Sequence, residues 1–400
     1  MPRVNAGRTF HIKDRCQLRI SKRVDELAPS GIRAFFDLVL GMKDVISLGV
    51  GEPDFVTPWH VRARAIESLE QGYTSYTSNK GILELRKAIA AFLKKRHQIS
   101  YDPEEEILIT VGVSEGLDLA MRAILNPGEK ILIPEPYYVA YGPVVSLAGG
   151  EPVFLKTSVE NGFKVTPKQI DEAAGPGVRG ILFGYPCNPT GASYTKGELE
   201  AIAKVVKKHD MLVISDEIYD ELTYDFQHTP MFTLPQMRNR VVYLNGFSKS
   251  FAMTGFRIGY VCGPADIVGG MAKIHQYTML CAPITGQMAA IEALKNAAGD
   301  VEAMKKEYDR RRRFIVGALN DIGMTCHMPQ GAFYAFPSVK VTGESSLDFA
   351  RNLLLQQKVA LVPGVAFGQC CEQHVRISYA SSYENLKEAV ARIEKYLKKK

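Results

Sequence analysis

The strongest constraint on this chain is an alternation. Short β-branched runs at Ile107–Val111, Lys130–Ile133, Gly180–Phe183, Met211–Ser215 and Val241–Leu244 are separated by stretches of helical periodicity such as Ser114–Leu125 and Leu199–His209. Ile258–Cys262 is a further apolar run. Strands that share a direction need long crossovers, and helices supply them. The pattern predicts an α/β domain with a mostly parallel sheet flanked by helices.

Around this centre the texture changes. Residues 1–17 read as an irregular N-terminal arm, and Asp25–Leu40 shows mixed helical spacing interrupted at Pro29-Ser30-Gly31. Val45–Leu48 is a short apolar run, and helices are expected from Pro58 to Leu69 and from Ile82 to Lys95. The last third carries long helical periodicity over Gly286–Asn320. Strand patterns follow in GAFYAFP, VALVPG and VRISYA, and then a closing amphipathic helix. We therefore expect a large domain over 58–290, and a smaller α+β domain built from both chain ends, 18–57 and 291–400.

Composition narrows the function classes. Of 400 residues, 46% are hydrophobic and 23% charged, which excludes a largely disordered or collagen-like chain. No apolar run approaches the length of a membrane span. The excess of 49 Lys+Arg over 43 Asp+Glu is too mild to argue for nucleic acid and suits small anions. The four-Arg run Arg310–Arg313 lacks interleaved aromatics and reads as a solvated helix face. The eight histidines show no metal-ligand spacing, so no metal is expected. Seven widely spaced cysteines without a C-x-x-C pair suggest reduced thiols and a cytoplasmic setting, with Cys370-Cys371 as either a redox pair or a buried apolar one.

Chemistry-bearing residues gather at strand ends. Asp216 follows Val213-Ile214-Ser215, where open α/β sheets bind ligands; it is either a paired carboxylate or a helix cap. Tyr219 follows three residues later. Lys249 lies in NGFSKSFAMTGFRIGY, after an apolar strand. A lysine in apolar surroundings has a lowered pKa and forms Schiff bases. Ser248, Ser250, Thr254 and Arg257 add hydroxyls and a cation suited to a phosphate, unless the segment is a plain surface loop. Asn188 stands in an Asn-Pro turn. Arg376 sits inside an apolar strand and needs an anion, either a structural partner or a substrate carboxylate. Amides at Ser114 and Glu115 open a helix that could hold an anion. Tyr138 could stack on a flat ring, and Tyr76 could donate to an anion; both could equally be packing tyrosines.

GVSEG around Ser114 also spells G-x-S-x-G, and Asp216 and His374 follow in the chain order of a serine hydrolase. That reading has no oxyanion loop before it and leaves Lys249, Arg257, Asn188 and Arg376 without a role.

Taken together, SLGVGEPDF, YTSYTSNKGILELR, CNPTG, SDEIYDELTY, NGFSKSFAMTGFRIGY, GAFYAFP and VRISYA resemble the pyridoxal-phosphate aminotransferases of class I/II, from about Ser21 to the end. The texture is similar to the aromatic, broad-specificity and aspartate branch. The resemblance implies fold type I with a seven-stranded-type sheet, and a homodimer with shared active sites. It implies Lys249 as the Schiff-base lysine and Asp216 as partner of the ring nitrogen. It places Tyr219 and Asn188 on the ring oxygen, with Tyr138 stacked on the ring. Ser114, Glu115, Ser248 and Arg257 would hold the phosphate, with Tyr76 reaching it from the partner subunit. Gly51, Asn188 and Arg376 would hold the substrate carboxylate. The implied reaction passes an amino group from an L-amino acid to a 2-oxo acid, 2-oxoglutarate, by a ping-pong route. A C–S lyase on the same scaffold is the nearest alternative. Gly246 departs from a pattern in which many relatives place a phosphate-binding Ser. Ser114 stands where some aspartate-specific relatives carry Lys, which tilts the expected donor towards aromatic or broad.

Overall fold

The computed structural model describes residues 20–27 and 42–399. The expected arm 1–17 and most of the 25–40 helical pattern lie outside the described residues. The strands in chain order are β1 (Ile46–Ser47), β2 (Ile107–Thr110), β3 (Lys130–Glu135), β4 (Glu151–Lys156), β5 (Val178–Gly184) and β6 (Leu212–Asp216). They continue with β7 (Val241–Gly246), β8 (Gly259–Cys262), β9 (Tyr334–Ala335), β10 (Val359–Ala360), β11 (Val362–Pro363) and β12 (Val375–Ser378).

Seven of these form one sheet in the order β2-β8-β7-β6-β5-β3-β4. Neighbours from β7 to β4 pair in parallel, and β8 alone runs against its neighbours β2 and β7. Both faces of the sheet are covered. Along β7, Val241 and Tyr243 pack into one hydrophobic cluster, while Val242 and Leu244 pack into the other. Period-two alternation with apolar residues at every position is the mark of a strand buried on both sides. That is why these runs read as continuous apolar stretches rather than alternating ones.

Local chemistry sets the helix starts. Thr195 and Glu198 form a capping box that opens the helix Lys196–Lys208, and Thr166 and Gln169 do the same for Pro167–Ala173. The long periodicity over 286–320 resolves into two helices, Ile284–Asn296 and Ala298–Asp321, broken at the buried Ala297. Asn296 and Gly299 flank the break, and both are poor helix interiors.

The smaller sheets come from the flanks of the chain. β1 pairs in parallel with β10, and β12 lies antiparallel between β11 and β9. The four-Arg run corrects the expectation of a solvated face: Arg311 and Arg312 are buried. Four consecutive helical positions span more than one turn, so two of them must point inward. Arg312 pairs with Asp225 and Asp309, while Arg311 holds Asp54 through two hydrogen bonds of 2.9 and 2.8 Å. The second pair anchors the segment that follows Gly51 to the helix Ala298–Asp321.

A tight backbone approach lies between β8 and the turn after β2. A Cβ on Gly259 would sit 2.6 Å from the carbonyl carbon of Gly112, and Gly112 itself has φ +74°. Both positions need glycine, one for space and one for conformation. Gly259→Ala is expected to lower stability by about 1–3 kcal/mol, read by urea unfolding. Gly255→Ala, where an added Cβ meets nothing within 4 Å, should leave stability nearly unchanged. Equal midpoints for the two variants would contradict the packing argument.

Candidate active site

Parallel strands end on one edge of a sheet, and their following loops converge there. In this chain Ser114 follows β2, Tyr138 follows β3 and Asn188 follows β5. Asp216 and Tyr219 come at the end of β6, with Ser248 and Lys249 after β7. Because β8 is antiparallel, it begins on this same edge. Arg257, two residues before it, is therefore delivered to the same place. A cavity of about 740 Å³ opens there, and all of these residues line it. From the flanks of the chain, Gly51, Tyr334 and Arg376 complete its walls.

Lys249 brings an amine to the cavity. Its Nζ donates to the Gly51 carbonyl at 2.7 Å. Burial lowers its pKa to about 8; Arg376 and Arg257 push the same way, while Glu52 and Asp216 oppose. A substantial fraction of the amine is thus neutral near physiological pH and able to attack a carbonyl.

Asp216 brings a buried carboxyl group to the cavity. Burial lifts its pKa to about 6, against the hydrogen bonds it accepts from the Tyr141 hydroxyl (2.9 Å) and the Ile218 amide (3.3 Å). Among the described residues no cation forms an ion pair with this carboxylate, although the Lys249 ammonium lowers its pKa from a distance.

Arg376 is 2% exposed. It donates to Asn188 Oδ1 at 2.8 Å and to the Gly49 carbonyl at 2.6 Å, and its guanidinium packs over Tyr334 at 4.5 Å. Its Nε has no partner, and among the described residues no carboxylate pairs with it. The structural ion pair of the sequence reading is therefore not found among the described residues. Gly51 lies against the guanidinium: a Cβ there would come within 3.8 Å of Arg376 Nη2.

Arg257 and Gly112 lie against each other and could hold an anion. Arg257 takes a left-handed backbone at φ +55°, and its Nη2 lies 2.6 Å from where a Gly112 Cβ would be. Ser114 stands in the first turn of the helix Gly112–Ile124, whose free amides add to the positive field. At Gly246, a Cβ would lie 2.9 Å from Gly259 Cα and 3.0 Å from the Ile258 carbonyl oxygen. A serine at this position would collide with β8, so Gly246 is the residue this packing requires.

Two expected residues are placed elsewhere. Glu115 does not line the cavity; its carboxylate accepts from the Val111 amide and pairs with His275 Nδ1 at 2.7 Å, leaving only its backbone amide for an anion. Tyr76 is 82% exposed and lies outside the cavity. The hydrolase triad is not assembled. His374 stacks on Phe336 with ring centroids 5.2 Å apart and does not line the cavity that holds Ser114 and Asp216.

Residues 43–393 match the family described as aminotransferase class I and II. The chain is 53% identical over 380 residues to a putative aminotransferase, YugH, of Bacillus subtilis, covering 95% of this chain and 98% of that one. It is 45% identical to an aspartate aminotransferase of Pyrococcus abyssi, covering 96% and 99%. A solved structure of an aromatic aminotransferase from Pyrococcus horikoshii superposes with a TM-score of 0.88 at 44% identity, covering 92% of this chain and 99% of that one.

The chain belongs to the class I and II aminotransferases. It is an enzyme of the transferase kind that uses pyridoxal 5'-phosphate, and its fold is fold type I. The cavity fits that cofactor on this chain's own evidence. Lys249 offers an amine to the aldehyde, Asp216 an anionic partner to the ring nitrogen, and the Arg257–Gly112 cradle a place for the phosphate.

Two side chains of this aminotransferase escaped the sequence reading. Tyr141 supports Asp216, and Tyr334 sets its hydroxyl 2.8 Å from that of Tyr219 beneath Arg376. The spacing of Tyr138 and Tyr141 in PYYVAY was the available signal for the first, since their rings pack edge to face. Tyr141→Phe removes a donor that favours the charged form of Asp216. The Asp216 pKa then rises, and the carboxylate is lost at a higher pH. In the cofactor-free protein, the acidic limb of pyridoxal-phosphate affinity should move up by about one pH unit, followed by absorbance titration. An unmoved limb would contradict the role given to Tyr141.

Proposed function

We propose that this aminotransferase takes the amino group of an aromatic or broad range of L-amino acids and passes it to 2-oxoglutarate in two successive half-reactions. The observation that carries the reading is the unpaired guanidinium of Arg376 facing the cavity that holds the Lys249 amine. Donor and acceptor both carry a carboxylate beside the reacting carbon. Both need the same guanidinium, so they bind in turn and the first product leaves before the second substrate enters. This is the physical basis of the ping-pong order.

Bound pyridoxal phosphate supplies the electron-poor ring that takes up charge when the α-proton departs. Arg376 and Asn188 fix the α-carboxylate, and this fixes the α-carbon relative to Lys249. The amine of Lys249, with its pKa near 8, accepts a proton and returns it. Asp216 holds a positive charge opposite its carboxylate. The Tyr219–Tyr334 hydroxyl pair is a donor beside it, and Tyr138 forms a wall. Ser114, Ser248, Arg257 and the Glu115 amide take the phosphate.

The lining supports a donor with an uncharged side chain. Val50, Val113, Val139 and Ile218 contribute apolar wall, and the lining cations of this chain are Lys249, Arg257 and Arg376. Each of these already has a role, so a distal carboxylate, that of 2-oxoglutarate included, has to be met from outside this chain's lining. The names of the relatives, aspartate in one and aromatic in another, span both options.

A homodimer with shared sites is part of the same proposal. Val56, Trp59, Ile66, Leu69 and Tyr76 are exposed, as are Tyr277, Met279 and Leu280. The Asn79 side chain donates to the Leu280 carbonyl at 2.7 Å, which ties these two segments together. Exposed apolar side chains gathered in this way mark an interaction face. Placed across such a face, Tyr76 would reach a partner's phosphate rather than its own. The six described cysteines are free, and no helix among the described residues is long and apolar enough to cross a membrane. The thiols support a cytoplasmic placement. The working domain map stays 58–290 for the large lobe, with 18–57 and 291–400 for the small one.

The test is a half-reaction screen. The purified holoenzyme is mixed with single amino acids, and the cofactor spectrum is followed. Phenylalanine or tyrosine should convert the cofactor at least about tenfold faster than aspartate at equal concentration, and 2-oxoglutarate should restore the starting spectrum. Faster conversion by aspartate would overturn the donor reading.

A further inference from the structure

Cys370 and Cys371 take no part in the site just described. Their Sγ atoms lie 3.5 Å apart in the turn between β11 and β12. Cys371 is buried, while Cys370 is partly exposed. The hydrogen bond with Cys370, together with burial, holds the Cys371 thiol far above its ordinary range. A third thiol is close along the same stretch of backbone. Cys370 Sγ contacts the Glu135 carbonyl at 3.8 Å, and Cys187 Sγ contacts the next one, Pro136, at 3.6 Å. Burial pushes the Cys187 thiol up to about 11.

We propose that Cys370 and Cys371 form a vicinal-dithiol modification site that takes a small-molecule disulfide as oxidant and closes reversibly into a disulfide between neighbouring residues. The partly exposed Cys370 meets the oxidant first. Its sulfur bonds to one sulfur of the small disulfide, whose S–S bond breaks, and one small thiol leaves with the proton from Cys370. The Cys371 sulfur, already in near contact, then displaces the second small thiol from Cys370 and gives up its own proton to it. Two protein thiols lose two electrons and two protons, and one small disulfide becomes two thiols.

Geometry makes the bond labile. Consecutive Cα atoms are about 3.8 Å apart, below the usual span of about 4.4–6.8 Å across a disulfide. The turn also holds this peptide in place. The Cys370 amide donates to Glu135 Oε1 at 3.0 Å, the Cys371 amide to the Gly368 carbonyl at 3.1 Å, and the Cys371 carbonyl accepts from the His374 amide at 2.9 Å. Ring closure must distort this arrangement, and strained disulfides are the readily reduced ones.

The test uses the holoenzyme incubated with oxidised glutathione, followed by intact mass and peptide mapping. The expected result is a protein lighter by two hydrogens, with the bond mapped to Cys370–Cys371 and reversed by excess reduced glutathione. Cys187→Ser should behave identically, whereas Cys371→Ser should stop at a glutathione adduct on Cys370. An unchanged mass, a persistent glutathione adduct on the unsubstituted protein, or a bond mapped to Cys187 would each overturn the proposal.

Discussion

The structure depends on keeping one amine uncharged often enough to react. Lys249 is half-buried, and removing its ammonium form from water is the main reason its pKa falls to about 8. Two guanidiniums, Arg257 and Arg376, share the cavity and reinforce the effect. Arg376 carries its own cost, because a buried guanidinium without an anion is unfavourable. The protein meets that cost with partial measures. Arg376 rests on Tyr334 and donates to Asn188 and Gly49, and Arg257 bonds the Thr254 carbonyl at 3.0 Å. We propose that the remaining demand for negative charge suits the cavity to a carboxylate and a phosphate.

Sheet topology is what brings these groups together. Parallel strands place their C-terminal loops on one edge, and this alone would supply Ser114, Tyr138, Asn188, Asp216 and Lys249. It would not supply Arg257, which precedes its strand instead of following it. Reversing β8 solves this, because the beginning of an antiparallel strand lies where its neighbours end. The close glycine contact of β8 with Gly112 then seats Arg257 against the first turn of the helix Gly112–Ile124. Packing and anion binding are in this way the same local feature.

Much of this was legible in the residues. The buried strands announced themselves as continuous apolar runs, and the residues just past them are the ones that line the cavity. Less legible was everything that depends on contacts between distant segments. β4 escaped notice because Glu151–Lys156 mixes exposed and half-buried positions at the edge of the sheet. The two-residue strands β9 and β10 lie inside the strand patterns GAFYAFP and VALVPG but are shorter than them. The role of Tyr141 requires knowing that its helix turns back over the end of β6. The inward turn of Arg311 and Arg312 rests on Asp54 and Asp225, far away in sequence. Glu115 looked like part of the anion site because of its position. His275, from the helix Ala265–Thr278, draws its carboxylate away. Tyr76 is exposed and lies outside the cavity, so its proposed role rests on a second copy of the chain.

The central claim is that the buried amine at position 249 is the point of covalent attachment for pyridoxal phosphate. Borohydride reduction of the holoenzyme followed by peptide mass mapping tests it most directly. The account predicts a stable pyridoxyl-phosphate mass increment on Lys249 alone, absent in Lys249→Ala. A label on another lysine, or none on a yellow and active preparation, would contradict it.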